Sequence, residues 1–241
     1  MNTISFDKGN VKVIAHRGVS ALECENTCAA FVAAGNRSYF GIETDTHVTA
    51  DGKFVIIHDD FTGNVSNVNI SVEGSTREEL SKVRLYSGGR VPSYTRCDLV
   101  IPDLADYIRI CQRYGKIAVL ELKNRIATED IRRMVSEIRE LGHLEQTLFI
   151  SFSWENMVDL RAMLPEQKLQ FLISRWEEDL PQRLSEAKLD LDIYYKALTR
   201  ERIAQLHDLG IEVNCWTCDD PDAAEELVSW GVDYITSNIL E

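Results

Sequence analysis

The stretch "GIETDTHVTADGKFVIIHDD" (41–60) contains two strand-like runs joined by a tight turn. Asp51-Gly52 is a preferred pair for a two-residue type I′ turn. Parallel strands need a crossover of about a dozen residues, so the second run, 53–58, is predicted to return antiparallel. Glu43 and Asp45 share one face of the first run, because side chains alternate along a strand.

A two-residue turn also predicts which residues face each other across this hairpin. Asp45 would lie opposite His58, and Thr46 opposite Ile57. Directly paired residues share a face, with Cβ atoms roughly 5 Å apart. The hairpin is therefore expected to bring Glu43, Asp45 and His58 to one side of the sheet.

Outside the hairpin, strand-like and helix-like segments alternate along the chain. The strand-like runs are 11–15, 40–44, 116–122, 147–152, 169–174, 192–197, 211–216 and 232–237. The segments with helical periodicity are 25–35, 103–115, 128–142, 153–164, 178–188, 199–210 and 220–231. This alternation predicts parallel strands with right-handed crossovers.

Eight such strands in this length favour an α/β fold of the TIM type, a closed (β/α)8 barrel. The alternative, an open doubly wound sheet, is less favoured because no glycine-rich fingerprint follows the first strand. Residues 1–241 are interpreted as one barrel domain, with the 53–58 run outside the barrel. Residues 60–102 are expected to form a small insertion over the barrel mouth. Ser75 and Glu78 there match a capping box.

The composition of the chain indicates which kinds of binding partner and which cellular location to expect. The 241 residues include 39 acidic and 26 basic side chains, giving a net charge of −13, which disfavours nucleic acid and anionic membranes. No run approaches the roughly 20 apolar residues of a membrane span, so no stable membrane insertion is expected. The N-terminus lacks the pattern of a signal peptide, and the six cysteines do not resemble a disulfide framework. A cytoplasmic location is the simplest expectation.

Functional side chains of such a barrel gather at the carboxyl ends of its strands. The first strand ends with His16 and Arg17, and the 116–122 strand leads to Glu121 and Lys123. Three carboxylates buried together need a cation. All-oxygen ligands favour Mg²⁺ or Ca²⁺ over zinc, and Mn²⁺ is a further option.

Two other features are assigned no chemistry. His47 lies two residues past Asp45 and is interpreted as a hairpin or rim residue. Cys215 and Cys218 are spaced as C-x-x-C, but a lone pair of this kind is weak support for zinc or redox chemistry. Trp216, between them, fits either the pocket wall or barrel packing.

The chain resembles the glycerophosphodiester phosphodiesterase family. The matching pieces are "AHRG" (15–18), "ENT" (25–27), "IETD", "TADG" and "IIHD" within 42–59, "ELK" (121–123) and "WT" (216–217). The resemblance implies a TIM-type barrel, a divalent metal, and hydrolysis of a small glycerophosphodiester to glycerol 3-phosphate and an alcohol.

The resemblance also implies a role for each matching residue. The metal ligands would be Glu43, Asp45 and Glu121. The catalytic acid/base pair would be His16 and His58, with His16 as base and His58 as acid in the first hypothesis and the reverse order left open. The positions that contact phosphate would be Arg17 and Lys123.

Three departures from the family pattern concern the surrounding loops. Cys24 stands where proline is usual, Ser237 replaces a common aspartate, and the segment after "HDD" lacks the usual arginine. The last two leave substrate preference open. Two alternatives therefore remain, a related barrel phospholipase acting on lysolipid or sphingolipid through segment 88–102, and a silent binding barrel. Oligomeric state, head group and physiological metal also stay open.

Overall fold

A computed structural model describes residues 2–86, 96 and 98–241. The strands within this part of the chain are β1 Lys12–Ala15, β2 Gly41–Val48, β3 Phe54–Ile56, β4 Ile117–Leu122, β5 Thr147–Ser151, β6 Leu169–Ile173, β7 Asp190–Tyr194, β8 Val213–Trp216 and β9 Tyr234–Ser237. The α-helices are α1 Cys28–Gly35, α2 Arg77–Ser81, α3 Leu104–Tyr114, α4 Thr128–Glu140, α5 Trp154–Met163, α6 Leu180–Ala187, α7 Arg200–Asp208 and α8 Pro221–Trp230.

Every strand except β3 belongs to a closed parallel barrel. The order around the sheet is β1-β9-β8-β7-β6-β5-β4-β2, and β1 pairs with β2 to close the ring. The predicted (β/α)8 barrel is confirmed. Strand β3 pairs antiparallel with β2 and lies outside the ring, as its short connection required.

The helices begin and end at residues suited to those positions. Asp220 caps α8 by accepting from the Asp222 backbone N–H, and Pro221 occupies the first turn. Gly115 ends α3 in the left-handed region, with φ of 62°, which glycine adopts without steric cost. In the described part of the chain, no helix is both long and apolar enough to cross a bilayer.

The hairpin differs from its prediction by one residue. Thr46 pairs with Ile56 and Val48 with Phe54, so the two-residue turn was wrong. The loop has three residues and ends at Gly52, whose φ of 71° is typical of a type I turn followed by a bulge. The Asp51 carboxylate accepts from the Arg77 backbone N–H, a contact from the insertion that favours the longer loop.

Two other elements occupy different residues from those predicted. Strand β7 runs from Asp190 to Tyr194, two to three residues before the expected 192–197. The capping box of α2 is formed by Thr76 and Glu79, one residue after the expected pair. In each case the type of element was predicted correctly and its boundary was not.

The barrel holds two apolar layers. Inward side chains form a small interior cluster that includes Ile14, Val119, Leu148, Leu172 and Tyr234. Outward side chains such as Ala118 and Leu120 join the helices in the main core. A third cluster, including Val55, Val72 and Leu80, packs the insertion against the hairpin. The carboxyl ends of the strands are left to carry polar groups.

Candidate active site

Three carboxylates converge at the carboxyl end of neighbouring strands β2 and β4. Asp45 and Glu121 are register partners, and Glu43 precedes Asp45 by two residues on the same face. One oxygen from each lies within 4.8 Å of the others. The three residues are buried, with exposures of 3% for Glu43, 1% for Asp45 and 7% for Glu121. The predicted set of metal ligands is therefore brought together.

Crowding of these acids shifts their pKa values in opposite directions. Burial, with the Asp45 charge next, raises the pKa of Glu43 well above its ordinary value and that of Glu121 to about 7. Burial alone would raise the pKa of Asp45, but Lys123 and Arg17 outweigh it and hold the pKa low. Asp45 is therefore the fixed anion of the cluster.

Arg17 and Lys123 brace the acids from two sides. Lys123 Nζ lies 2.8 Å from Glu121 Oε1 and 3.5 Å from Asp45 Oδ1. Arg17 Nε lies 3.5 Å from Asp45 Oδ2, while Arg17 Nη1 donates to Glu25 at 2.8 Å. The Arg17 backbone N–H donates to Glu43 Oε2 at 2.8 Å. Both predicted cations are thus at the site, and both are paired with acids.

His16 is held in one tautomer by a chain of hydrogen bonds. The Asn238 amide nitrogen donates to Asp219 Oδ2 at 2.6 Å, so Asn238 Oδ1 faces His16 Nδ1 at 2.7 Å. An amide oxygen only accepts, so Nδ1 carries the proton and Nε2 keeps a free lone pair. Burial, followed by the Arg17 charge, lowers the pKa of His16 to about 4. The ring is neutral at pH 7 and competent as a base.

His58 reaches the cavity although the predicted register was wrong. The Ile57 backbone N–H still donates to the Asp45 carbonyl at 3.1 Å, and the chain then leaves the ladder. Beyond that point the loop, not strand alternation, sets the side-chain direction. His58 Nδ1 lies 2.5 Å from Asp59 Oδ1, and Asn64 donates to the other Asp59 oxygen at 2.6 Å. Because Nδ1 is occupied, Nε2 is the nitrogen available to a ligand.

His47 supports the loop that carries His58. It lies on the hairpin, where it pairs with Val55, as one of the two predicted positions has it, and its side chain is fully buried and not at a rim. Its Nε2 lies 3.2 Å from the His58 carbonyl oxygen, and its Nδ1 lies 2.9 Å from Glu73 Oε1. The sequence did not predict this supporting role, because nothing in the hairpin pattern indicates that His47 contacts Glu73.

Left-handed backbone is concentrated around the site. Among the described residues, four non-glycine residues have positive φ, and three of them, Arg17, Asn26 and Asn124, adjoin site residues. Asn26 donates to Asp45 Oδ2 at 2.8 Å and accepts from the Thr44 hydroxyl at 2.7 Å. A left-handed backbone costs energy in non-glycine residues and persists only where neighbouring contacts hold it in place. Such residues cluster at active and binding sites.

Both histidines, Arg17, Glu43 and Glu121 line one half of a cavity of about 60 Å³. Its other half is lined by Ile150, Phe152, Leu172, Asp192, Trp216 and Thr236. Burial raises the pKa of Asp192 well above its ordinary value. Asp192 was missed because the predicted strand started there, whereas the observed strand places it mid-strand, facing inward.

The remaining sequence features have simpler explanations. The thiols of Cys215 and Cys218 each donate to a backbone carbonyl, of Tyr234 and Asp220 respectively. Ser237, where an aspartate is common, donates to Asp219 Oδ1 at 2.8 Å, so a carboxylate still stands beside the end of β9. Most of segment 88–102, the suggested lipid-seeking loop, lies outside the described residues.

The acid cluster fits a hard divalent cation. Its donors are all oxygen, which suits Mg²⁺, Ca²⁺ or Mn²⁺. Glu43, Asp45, Glu121 and the nearby Glu25 place four acids against the two cations Arg17 and Lys123. Burial and this excess negative charge together raise the pKa of Glu43 and Glu121, and a bound dication would neutralise the charge.

Comparison with known proteins points to one family. The profile of the Glycerophosphoryl diester phosphodiesterase family matches residues 16–240. A glycerophosphodiester phosphodiesterase of Caldanaerobacter subterraneus subsp. tengcongensis is 26% identical over 238 residues, covering 94% of this chain and 93% of that protein.

Solved structures of similar proteins have the same fold. A glycerophosphodiester phosphodiesterase from Parabacteroides distasonis superposes with a TM-score of 0.78 at 26% identity, covering 95% of this chain and 93% of that one. An Oleispira antarctica phosphodiesterase, in complex with the product sn-glycerol-3-phosphate, has a TM-score of 0.82 at 24% identity, covering 98% and 96%. The chain therefore belongs to the glycerophosphoryl diester phosphodiesterase family of enzymes.

Proposed function

We propose that this chain is a metal-dependent enzyme that hydrolyses glycerophosphodiesters to glycerol 3-phosphate and an alcohol. The observation that carries the proposal is the approach of Glu43, Asp45 and Glu121 to within 4.8 Å of one another. Two histidines face the same cavity as Glu43 and Glu121. The product bound in the Oleispira antarctica relative supports glycerol 3-phosphate as a product here too.

A phosphodiester resists hydrolysis because its negative charge repels the attacking oxygen. Glu43, Asp45 and Glu121 would hold a divalent cation, which supplies Lewis acidity and orients the phosphate when bound. Arg17, whose side chain is partly exposed to the cavity, offers a planar fork suited to phosphate oxygens. Lys123 contributes a point charge and keeps Glu121 and Asp45 in place.

The two histidines have environments suited to different proton transfers. His16, neutral and with Nε2 unprotonated, takes the proton from the attacking oxygen, which is either the neighbouring glycerol hydroxyl or water. His58 donates a proton from Nε2 to the departing alkoxide while Asp59 stays on its Nδ1. General acid or base catalysis of this kind contributes about 10²–10⁴-fold to a rate.

The proposal extends to organisation and setting. Residues 1–241 act as one barrel domain with 60–102 as an insertion beside the mouth. Asn64, Val65 and Tyr86 of that insertion line a second hollow together with Arg17 and His58. The enzyme is proposed to act in the cytoplasm on small, water-soluble diesters.

A matrix of metals and substrates tests the proposal. Chelator-stripped protein is supplied with Mg²⁺, Ca²⁺ or Mn²⁺ and with glycerophosphocholine, -ethanolamine, -glycerol or -inositol. Release of glycerol 3-phosphate that depends on the metal is expected. Turnover of a long-chain lysolipid alone would favour the phospholipase alternative. Absence of any phosphate monoester with all three metals would favour a binding protein.

A further inference from the structure

The cavity holds polar groups for which the proposed chemistry has no use. Opposite the histidines, its wall is mainly apolar and includes Ile150, Phe152 and Leu172. Asp192 and Trp216 interrupt this apolar wall. Neither belongs to the acid cluster, and neither pairs with Arg17 or Lys123 in the described part of the chain.

One oxygen of the buried Asp192 carboxylate lacks a hydrogen-bond donor in the part of the chain that the structure describes. The residue is 2% exposed, and no donor among the described residues reaches its Oδ1. Its neighbours inside the barrel do bond to one another, since Asn214 donates to Gln170 at 2.9 Å and Thr236 donates to Asn214 at 3.3 Å. Among the described residues the Gln170 amide nitrogen is also unpartnered, but Gln170 does not line the cavity. Of these two residues, Asp192 is the one that lines the cavity.

Trp216 adds an unmet donor to the same wall. Its buried Nε1 has no acceptor within the described residues. The ring is fixed by an edge contact with Phe152 at 5.6 Å and a tilted contact with Tyr194 at 5.8 Å. An indole N–H that is buried usually finds a partner. A ligand that completes this wall must therefore both donate and accept.

A hydroxyl group meets both requirements. A quaternary ammonium head group neither donates a hydrogen bond to Asp192 nor accepts one from the indole N–H, and an acyl chain likewise satisfies neither. If the phosphate of a glycerophosphodiester binds at Arg17, the hydroxyl farthest from the phosphate extends furthest toward the other residues that line the cavity. We propose that Asp192 and Trp216 form a subsite for the terminal hydroxyl of the glycerol moiety. This assignment rests on the proposed function.

The test compares two substrates that differ by that hydroxyl. Glycerophosphocholine carries it, while 2-hydroxypropyl phosphocholine lacks it and keeps the hydroxyl beside the ester. The wild type should prefer glycerophosphocholine by about tenfold or more in kcat/KM, because a site built for a hydroxyl rejects the analogue without it. Asp192→Leu and Trp216→Phe should reduce this preference to about twofold, and Asp192→Asn should keep part of it. Gln170→Leu, a matched buried change outside the cavity, should keep all of it.

The outcomes separate the subsite from the proposed function. If the wild type releases no product from glycerophosphocholine, the proposed function fails. If turnover occurs but wild type and Asp192→Leu show the same preference, the subsite is wrong and the function stands. Loss of activity on glycerophosphocholine but not on glycerophosphoglycerol in Asp192→Leu would also overturn it, since that pattern indicates a cationic head group. Calorimetry with glycerol 3-phosphate and 2-hydroxypropyl phosphate should repeat the preference at equilibrium.

Discussion

The effect of Glu43→Gln on stability should depend on metal. The variant should be more stable than wild type without metal and less stable than wild type when metal is added. Glutamine has the shape of the protonated carboxyl and still accepts from the Arg17 backbone N–H. Burial and the Asp45 charge raise the pKa of Glu43 in the folded state above its ordinary 4.5. The variant cannot lose a proton, so it serves as a permanently neutral Glu43.

The pH dependence without metal follows from linkage. Above pH 4.5 the unfolded chain releases the Glu43 proton while the folded chain retains it, so the free energy of unfolding falls as pH rises. The slope is about 1.4 kcal/mol per pH unit for one proton. As pH rises above 4.5 the variant should therefore gain stability relative to wild type, by at most about 1.4 kcal/mol per pH unit. At 2–4 °C per kcal/mol, this is a relative rise in Tm of at most about 3–6 °C per pH unit.

Metal should reverse this order. A ligand present at 100 times its Kd stabilises the folded state by about 2.7 kcal/mol, which raises the wild-type Tm by about 5–11 °C. Glutamine is a weaker, uncharged ligand, so Glu43→Gln should lose most of this gain.

Thermal unfolding followed by circular dichroism, with chelator or with Mg²⁺ between pH 5 and 8, measures both effects. Glu226→Gln, an exposed change on α8, is the matched control and should behave as wild type. Equal pH slopes and equal metal gains for Glu43→Gln and wild type would show that Glu43 neither keeps a proton in the folded state nor binds the metal.

Three further predictions follow from the other site residues. His16→Ala and His58→Ala should each lower kcat by about 10²–10⁴-fold while the metal-induced rise in Tm survives, and near-normal turnover would reject their roles. Asn238→Leu should lower kcat by about tenfold with little change in KM, since it frees the His16 ring without touching phosphate, and an unaltered kcat would contradict this. Because burial raises the pKa of Asp192, Asp192→Asn without metal should gain stability over wild type by about 1.4 kcal/mol per pH unit above pH 4, and a difference independent of pH in denaturant titrations would count against it.

The barrel was predictable because it depends on repeated patterns. Alternating strands and helices, and the short connection before β3, follow from the spacing of apolar runs. The convergence of Asp45 and Glu121 follows from the rule that strand ends meet at one face of a barrel. These predictions need no knowledge of individual loops.

The register of the hairpin was not predictable, because residues distant in sequence decide it. Asp51-Gly52 favours a two-residue turn by itself. In the fold, the Ala50 N–H donates to the Ser75 carbonyl and the Arg77 N–H donates to Asp51. Both contacts come from the insertion, whose own structure the sequence leaves open.

Asp192 and Asn238 show two kinds of omission. Asp192 was missed because the strand was predicted to begin at this residue. Strand β7 begins two residues earlier, so Asp192 lies in the middle of the strand and closer to its carboxyl end than predicted. Asn238 directly follows β9, so the strand-end rule applied to His16 would have identified it too. Its partner Asp219 comes from the loop after β8, and only the folded chain joins the two.

The most direct measurement is the location of a bound ion. Crystals grown with Mn²⁺ and measured for anomalous scattering should show one peak per chain, within about 2.0–2.6 Å of oxygens of Glu43, Asp45 and Glu121. His16 and His58 should face it across the cavity without binding it. A peak elsewhere, or turnover in crystals without any peak at these three carboxylates, would rule out the proposed metal site.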